Sequence, residues 1–588
     1  MESRGRRDSQ SDPVRAQLDG WVGVGLLLSV AVLASCSPDD RPANPSKTSA
    51  VSPAADAYSN VLTEDYVGPD ICGRCHEQNH ASWKLHPHSR MNQLAGRDSV
   101  LGDFSGATLA YADGEAVFRR QGEQYLMEYR KEGKSVRTFR VTRTIGWRYL
   151  QEYVGVQIRG PEPKDDLLYK EETRLKFGYV LKDKRWLPQS YLDSPNDGSE
   201  YQEDGRPRYD PFDPEKTPFN TRCIHCHNTY PYELRLYTDD RLQGFPPAPS
   251  RLIESLLQDR PAFRDQQHNP TLPTRSLVTV GISCESCHLG GREHARDPKK
   301  PPRFVPSHSD LAGWTPDHLN ARTNPAIVNA LCRQCHFSGA SSWADGSSVL
   351  NSMESIEQDR GACVSRLRCI DCHNPHVRGP DAGASDRPEA VAACLRCHER
   401  FKSPEAARSH GGHAPGQASC LDCHMPRIVH GFDTINRTHR ISSPTQPGIL
   451  ESGMPNACNL CHLDRSLAWT RDALSKGWGK RPVLPDFLEE VFGIGHGKPA
   501  GEAWLDQPMG MLRVVAASAY ARSRLAPQVL PRLLSTLEEP NAYLRMRFLQ
   551  IVEQAMGRKV EEREFALTGS PDQRRRQLQA LLKRSSDR

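Results

Sequence analysis

Between residues 368 and 376 the chain reads RCIDCHNPH: Cys369 and Cys372 stand three positions apart, His373 follows directly, and His376 lies three further on. Such a group could be half of a tetrahedral zinc site or the anchor of a haem. It is one of eight Cys-x-x-Cys pairs: Cys72/Cys75, Cys223/Cys226, Cys284/Cys287, Cys332/Cys335, Cys369/Cys372, Cys394/Cys397, Cys420/Cys423 and Cys458/Cys461. Together they use sixteen of the eighteen cysteines. Four zinc sites would need only the cysteines. Here every pair is followed at once by histidine, at His76, His227, His288, His336, His373, His398, His424 and His462. Histidine makes up 22 of 588 residues, so eight in eight is not chance. Cys-x-x-Cys-His is the attachment pattern of c-type haem: each cysteine adds to a vinyl group, and the histidine falls under the iron as its proximal ligand. The pattern predicts eight covalent haems c.

Each iron has a second axial position. A histidine there makes a six-coordinate, low-potential electron carrier, whereas an open position admits substrate. Fourteen histidines lie outside the motifs, enough for all eight. His376 sits so close to His373 on the chain that it is expected to turn away and serve a neighbouring haem.

Several segments resemble multihaem cytochromes related to the tetrahaem cytochromes of nitrifiers. CGRCHEQNHASWKLHPH resembles their first haem segment, with Trp83 and, five residues on, His88. CESCHLGGREH resembles their CxxCHGPGxxH segment, although Leu289 and Gly290 replace Gly-Pro, and points to His294. CIDCHNPH resembles CxDCHxPH and points to His376; HGGHAPGQASCLDCHMP points to His413; RTHRISSP with MPNACNLCHLDRSLAW points to His439. The resemblance spans roughly residues 66–470 and implies that these five are distal ligands. His86, His308, His318, His410 and His430 are reserves, while His225 and His496 are not expected to ligate.

These sites need elements to hold them. The first and second motifs are 151 residues apart, but later intervals run from 25 to 61, so haems two to eight form a compact run with little protein each. In the long gap, ATLAYADGEAVFRRQGEQYLMEYRKEGKSVRTFRVTRT is rich in Val, Tyr, Phe and Thr and breaks at Asp113-Gly114, Gln121-Gly122 and Glu132-Gly133, which predicts a β-meander. It reads as a small β domain inserted over 98–215, either a surface module or a lid over a haem. After 465, MLRVVAASAYA, VLPRLLSTL and YLRMRFLQIVEQAM carry apolar residues at helical spacing and resemble HEAT-type helical pairs. Such a tail either contacts other proteins or caps the haem core. The expected fold is mostly α and irregular: a multihaem core over 216–465, a first haem segment over 66–97, the β insert, and a helical tail over 466–588.

The N-terminus reads as an export signal. Four arginines in the first fifteen residues precede WVGVGLLLSVAVLAS (21–35) and Cys36, and Leu33-Ala34-Ser35-Cys36 resembles a bacterial lipobox. Residues 1–36 are therefore expected to be a lipoprotein signal peptide, with 37–65 a flexible, Pro- and Ser-rich linker. Ser37 resembles the residue that sorts such anchors to the outer membrane. Haem c is attached outside the bacterial cytoplasm, so the two readings agree.

Composition narrows the partners. With 25% charged residues and a balance of only +5, nothing suggests nucleic acid. Forty-five prolines and 43 glycines against 37% hydrophobic residues suit a loop-rich chain ordered by covalent cofactors. Cys363 is left over and reads as an unpaired thiol. The chain is expected to transfer electrons to redox partner proteins from a lipid anchor facing the periplasm or the cell surface. The alternative is an oxidoreductase of a small nitrogen or sulfur compound with one open haem. Octahaem hydroxylamine oxidoreductases keep CxxCH at such a haem; pentahaem nitrite reductases mark it with CxxCK, which does not occur here. His227 is the motif histidine with no near distal candidate, the next histidine being His268.

Overall fold

The computed structural model describes residues 58–188, 212–214, 216, 218–221, 223–236, 272, 274–309, 324–337, 341–376, 388–492 and 497–586. Cys36 with its apolar run, most of the expected linker, His268, His318 and His496 lie outside the described residues. Among the described residues no helix is long and apolar enough to cross a membrane.

The stretch after the first motif forms a nine-stranded antiparallel sheet: β1 Asn92–Leu94, β2 Ser105–Tyr111, β3 Gly114–Gln121, β4 Gln124–Lys131, β5 Lys134–Ile145, β6 Leu150–Arg159, β7 Thr173–Arg174, β8 Phe177–Val180 and β9 Arg185–Pro188. The main path runs β2-β3-β4-β5-β6-β8-β9, with β1 on β5 and β7 on β6. The turn between β4 and β5 shows why the sequence breaks where it does. Lys131 pairs with Lys134, and Glu132 and Gly133 between them adopt φ of 48° and 73°. Two left-handed residues in succession make the hairpin turn whose twist matches the flanking strands. The inward positions carry aromatic rings. Phe118 of β3 stacks on Trp186 of β9 with ring centres 3.5 Å apart and planes 2° from parallel. Strands near opposite ends of the order thus meet, so the sheet curls almost closed around its own aromatic core.

Two expectations are corrected. The sheet is larger than a small insert and begins before residue 98, because β1 pairs in register with β5. The chain is therefore mixed α and β, not mostly α and irregular, with helices dominating only towards the C-terminus.

There the apolar periodicity becomes helices over Leu467–Trp478, Ala500–Leu505, Gly510–Ala521, Ala526–Ser535, Ala542–Met556 and Pro571–Ser586. Asn541 caps the Ala542 helix by accepting from Leu544 N–H at 3.0 Å. The helices rest on the sheet. Asp183, in the β8–β9 hairpin, accepts from Gln550 at 2.5 Å and Lys559 at 2.8 Å.

Between these regions, from Thr274 to Asp464, helices are short and much of the backbone is turn. Side-chain hydrogen bonds do the positioning there. Buried Glu285, inside the third motif, accepts from the backbone of Val67 (3.0 Å), Gly68 (2.8 Å) and Gly291 (2.9 Å). Trp83 Nε1 donates to Ile282 O at 2.8 Å, and Arg292 pairs with buried Asp65 at 2.6 Å. These bonds tie the first haem segment to the third motif, more than two hundred residues later.

Candidate haem-binding site

Each motif folds as one helical turn. The histidine N–H donates to the carbonyl of the first cysteine four residues earlier, at 2.9–3.2 Å, in the motifs of His76, His227, His288, His336, His373, His398 and His462. The motif of His424 lies within the helix Cys420–His424. A helical turn places positions i, i+3 and i+4 on one side. Both cysteines and the histidine therefore present one face, as attachment to one planar macrocycle requires.

The histidines then face one another in pairs drawn from different segments. Ring centres lie 6.0 Å apart for His76 and His294, 6.5 Å for His88 and His336, 6.1 Å for His288 and His376, 6.1 Å for His373 and His439, 6.0 Å for His410 and His424, and 6.2 Å for His413 and His462. No hydrogen bond between imidazoles needs such a gap. One metal atom fits it: bonds of about 2.0–2.1 Å on each side, plus roughly 1.1 Å from each nitrogen to its ring centre, give about 6.3 Å.

The second nitrogens support that arrangement. Nδ1 of His294 meets Lys300 O at 2.8 Å, that of His413 meets Gly411 O at 2.7 Å, and that of His424 meets Ser442 O at 2.8 Å. His336 Nδ1 instead lies 3.0 Å from a Glu354 carboxylate oxygen. An Nδ1–H given to an acceptor leaves Nε2 unprotonated and free to bind a metal. Burial works the same way at His88, His288 and His373, because it disfavours the charged ring. It depresses His88 to about 3, and His288 and His373 to about 4. A neutral imidazole is the ligating form. At His336 and His439 burial acts in the same direction, but the carboxylates of Glu354 and Glu357 outweigh it and raise the pKa.

All eight motif histidines, all six facing histidines and every motif cysteine except Cys223 and Cys226 line one cavity of about 2880 Å³. The pairing is not sequential. His376 faces His288 and not its neighbour His373; His88 of the first segment faces His336 of the fourth motif; His439 faces His373 of the fifth. All five histidines singled out from resemblance stand opposite a motif histidine. His410, a reserve, does so as well. The HGGH stretch signalled it: the helix Pro404–Gly411 ends at Gly412 with φ of 69°, and this left-handed stop turns the chain, so His410 and His413 enter different sites. Of the other reserves, His86 accepts from His88 N–H at 3.1 Å, and buried His430 packs on Tyr543. His225 is buried against Tyr230. Cys363 lines the cavity within electrostatic reach of Cys397. Among the described residues, no histidine ring stands opposite His227 or His398.

Neighbouring motifs adjoin through their cysteines. Cys72 and Cys284, Cys226 and Cys335, and Cys332 and Cys369 are neighbours close enough to perturb one another's thiols. Cys287 lies close to Cys335, Cys394 close to Cys372 and Cys420, and Cys423 close to Cys458. The attachment points run 1–3–4–5–6–7–8 in space, with the second motif branching from the fourth.

Repeated Cys-x-x-Cys-His motifs on one shared cavity are the arrangement that covalently attached haems would occupy. Residues 402–477, which hold the last two motifs together with His410, His413 and His439, match the family model described as cytochrome c552. Among solved structures, the chain is similar to the crystal structure of the outer cell wall cytochrome OcwA, at 13% identity and a TM-score of 0.39, covering 84% of this chain and 99% of that one.

Proposed function

We propose that the protein is an octahaem c-type cytochrome that transfers electrons outside the cytoplasmic membrane. The observation that carries this reading is the set of six histidine pairs about 6 Å apart, each joining a motif to a separate segment. His88, His294, His376, His410, His413 and His439 would be the distal ligands. When bound, haem would supply one reversible electron at each site, and the motif histidine with the histidine facing it would be the residues that hold the iron. The residues in turn fix the spacing: adjoining cysteines bring successive attachment points together, so each transfer is short.

The chain would be held by a lipid at Cys36, on the outer membrane by the Ser37 resemblance, facing the periplasm or the cell surface. Eight haems carry about sixteen propionate charges, which turn the +5 of the chain into roughly −11 and favour basic redox partner proteins. A second reading is favoured at two positions. His227 and His398 face no described histidine, and an iron open there would bind a small nitrogen or sulfur compound.

The test combines mass spectrometry with electron paramagnetic resonance of the oxidised protein. Eight haem mass increments and at least six low-spin signals are expected. Fewer than six low-spin haems would sink the pairing. High-spin signals that change on adding nitrite or hydroxylamine would establish the second reading, and eight low-spin signals would end it.

A further inference from the structure

Of the four facing histidines whose Nδ1 meets a described partner within hydrogen-bond distance, His336 is the one that meets a carboxylate. His294, His413 and His424 rest Nδ1 on neutral backbone carbonyls. His336 rests it on the Glu354 carboxylate at 3.0 Å. That carboxylate is fixed from behind. Its other oxygen accepts from Ser352 N–H at 2.9 Å, and Ser352 holds φ of 67°, which a non-glycine residue keeps only where its surroundings enforce it. Ser355 ties the same helix to the same histidine, its Oγ and N–H both reaching His336 O, at 2.7 and 3.4 Å.

Glu357, one turn further on, makes the contrast. It accepts from Ser348 N–H at 2.7 Å, Thr438 Oγ1 at 2.5 Å and His439 N–H at 2.8 Å, and stands 3.7 Å from His439 Nδ1. Its charge is taken up by three donors that hold the chain in place. Glu354 divides its charge between one backbone N–H and the imidazole.

The place of His336 adds weight. Its motif adjoins three others: Cys335 meets Cys226, Cys332 meets Cys369, and Cys287 lies near both. The second, third and fifth motifs all meet there.

We propose that Glu354 is a positioning residue that sets the redox level of this junction. By accepting the Nδ1–H it makes His336 Nε2 a stronger donor, which stabilises ferric iron and holds that site at a more negative potential than the sites resting on carbonyls. The junction would then be the last of the six paired sites to accept an electron, a step between the group of motifs 1 and 3 and the group of motifs 5 to 8. This rests on the reading above, in which His336 and His88 hold one haem.

The experiment is a spectroelectrochemical titration of the full haem-loaded protein, wild type against Glu354→Gln and Glu354→Asp. Glutamine keeps a carbonyl acceptor and removes the charge; aspartate keeps the charge. The most negative component should shift to more positive potential in Glu354→Gln and stay near its original position in Glu354→Asp, with haem mass and the number of low-spin signals unchanged. Superimposable titrations of wild type and Glu354→Gln overturn the proposal. If Glu354→Gln loses a low-spin signal, Glu354→Asp must restore both the signal and the negative component; failure overturns it as well. The pairing is checked apart, by His88→Met, which must alter one low-spin signal. If it does not, the pairing falls, and the proposal with it.

Discussion

The curled sheet and the haem-bearing stretch are built on opposite terms. The sheet encloses Phe104, Phe118, Met127, Tyr129, Phe139, Tyr153, Phe177 and Trp186, and the C-terminal helices extend the same core with Trp504, Leu512, Val515, Leu533, Phe548 and Val552. Among the described residues between 274 and 425, Trp343, Val349 and Leu350 join that core and Leu289, Ile327, Ala330 and Leu331 belong to a separate small cluster, while much of the rest surrounds the cavity of about 2880 Å³. One region folds around side chains it carries. The other surrounds a cavity lined by the motif cysteines and by facing histidines.

The largest way to break this contrast is to withhold the haems. A chain made where haem attachment cannot occur should lose order first from about 353 to 425, because the described residues there belong to no hydrophobic cluster that could replace what fills the cavity. The sheet should persist. Limited proteolysis mapped by mass spectrometry should show rapid cuts among the motifs and protection over 92–188. Equal protection in both regions would contradict the comparison.

A smaller break comes from the other side. Phe118 is fully buried, and its ring lies on Trp186. Phe118→Ala should cost about 3–5 kcal/mol in the sheet through lost transfer energy and the cavity left behind. Urea unfolding followed by tryptophan fluorescence should register this, while the visible spectrum stays unchanged until the haem region itself opens.

The seam between the sheet and the C-terminal helices tests charge. Burial would raise the pKa of Asp183, but hydrogen bonds from Lys559 and Gln550 outweigh it and hold the carboxyl below the usual aspartate range. A pKa depressed in the folded state gives stability that is present above the unfolded value of about 3.9 and is lost as pH falls through the folded one. Asp183→Asn should cost about 1–3 kcal/mol at neutral pH, the usual worth of hydrogen bonds to a charged group, and should flatten the acid limb of the stability curve below about pH 4. An unchanged acid limb in the variant would place the charge elsewhere.

What the sequence disclosed follows the same divide. The motifs needed no fold to be recognised, because a helical turn is local and Cys-x-x-Cys-His fits within it. Richness in Val, Tyr, Phe and Thr and the Glu132-Gly133 turn announced strands, and the spacing of Leu512, Val515, Ala516 and Ala519 announced a helix. The curl of the sheet did not show, since nothing local says that Phe118 will meet Trp186. Nor did which motif histidine each of the six other histidines would face. His88 and His336 are 248 residues apart, and their meeting depends on contacts such as Trp83 to Ile282, which no periodicity encodes. Glu354 was silent for a similar reason: a glutamate eighteen residues after a motif has no signature until the chain folds back.

The smallest predicted effect makes one chemical change in both regions. Asn541 is buried and caps the helix Ala542–Met556 with a 3.0 Å bond to Leu544 N–H. Ser403, exposed, caps the helix Pro404–Gly411 with a longer bond, 3.4 Å to Ala406 N–H. A lost cap usually costs about 0.5–2 kcal/mol, and more when the orphaned N–H is shut away from water. Asn541→Ala should therefore fall near the top of that range, since its helix is secured by protein packing alone. Ser403→Ala should cost at most a few tenths, because water replaces the hydroxyl and the helix is pinned at its other end by His410 opposite His424. Denaturant midpoints of the two variants give the comparison directly. If Ser403→Ala proves as costly as Asn541→Ala, the helices of the haem stretch stand by their own local bonds, and the haems are guests in a preformed frame.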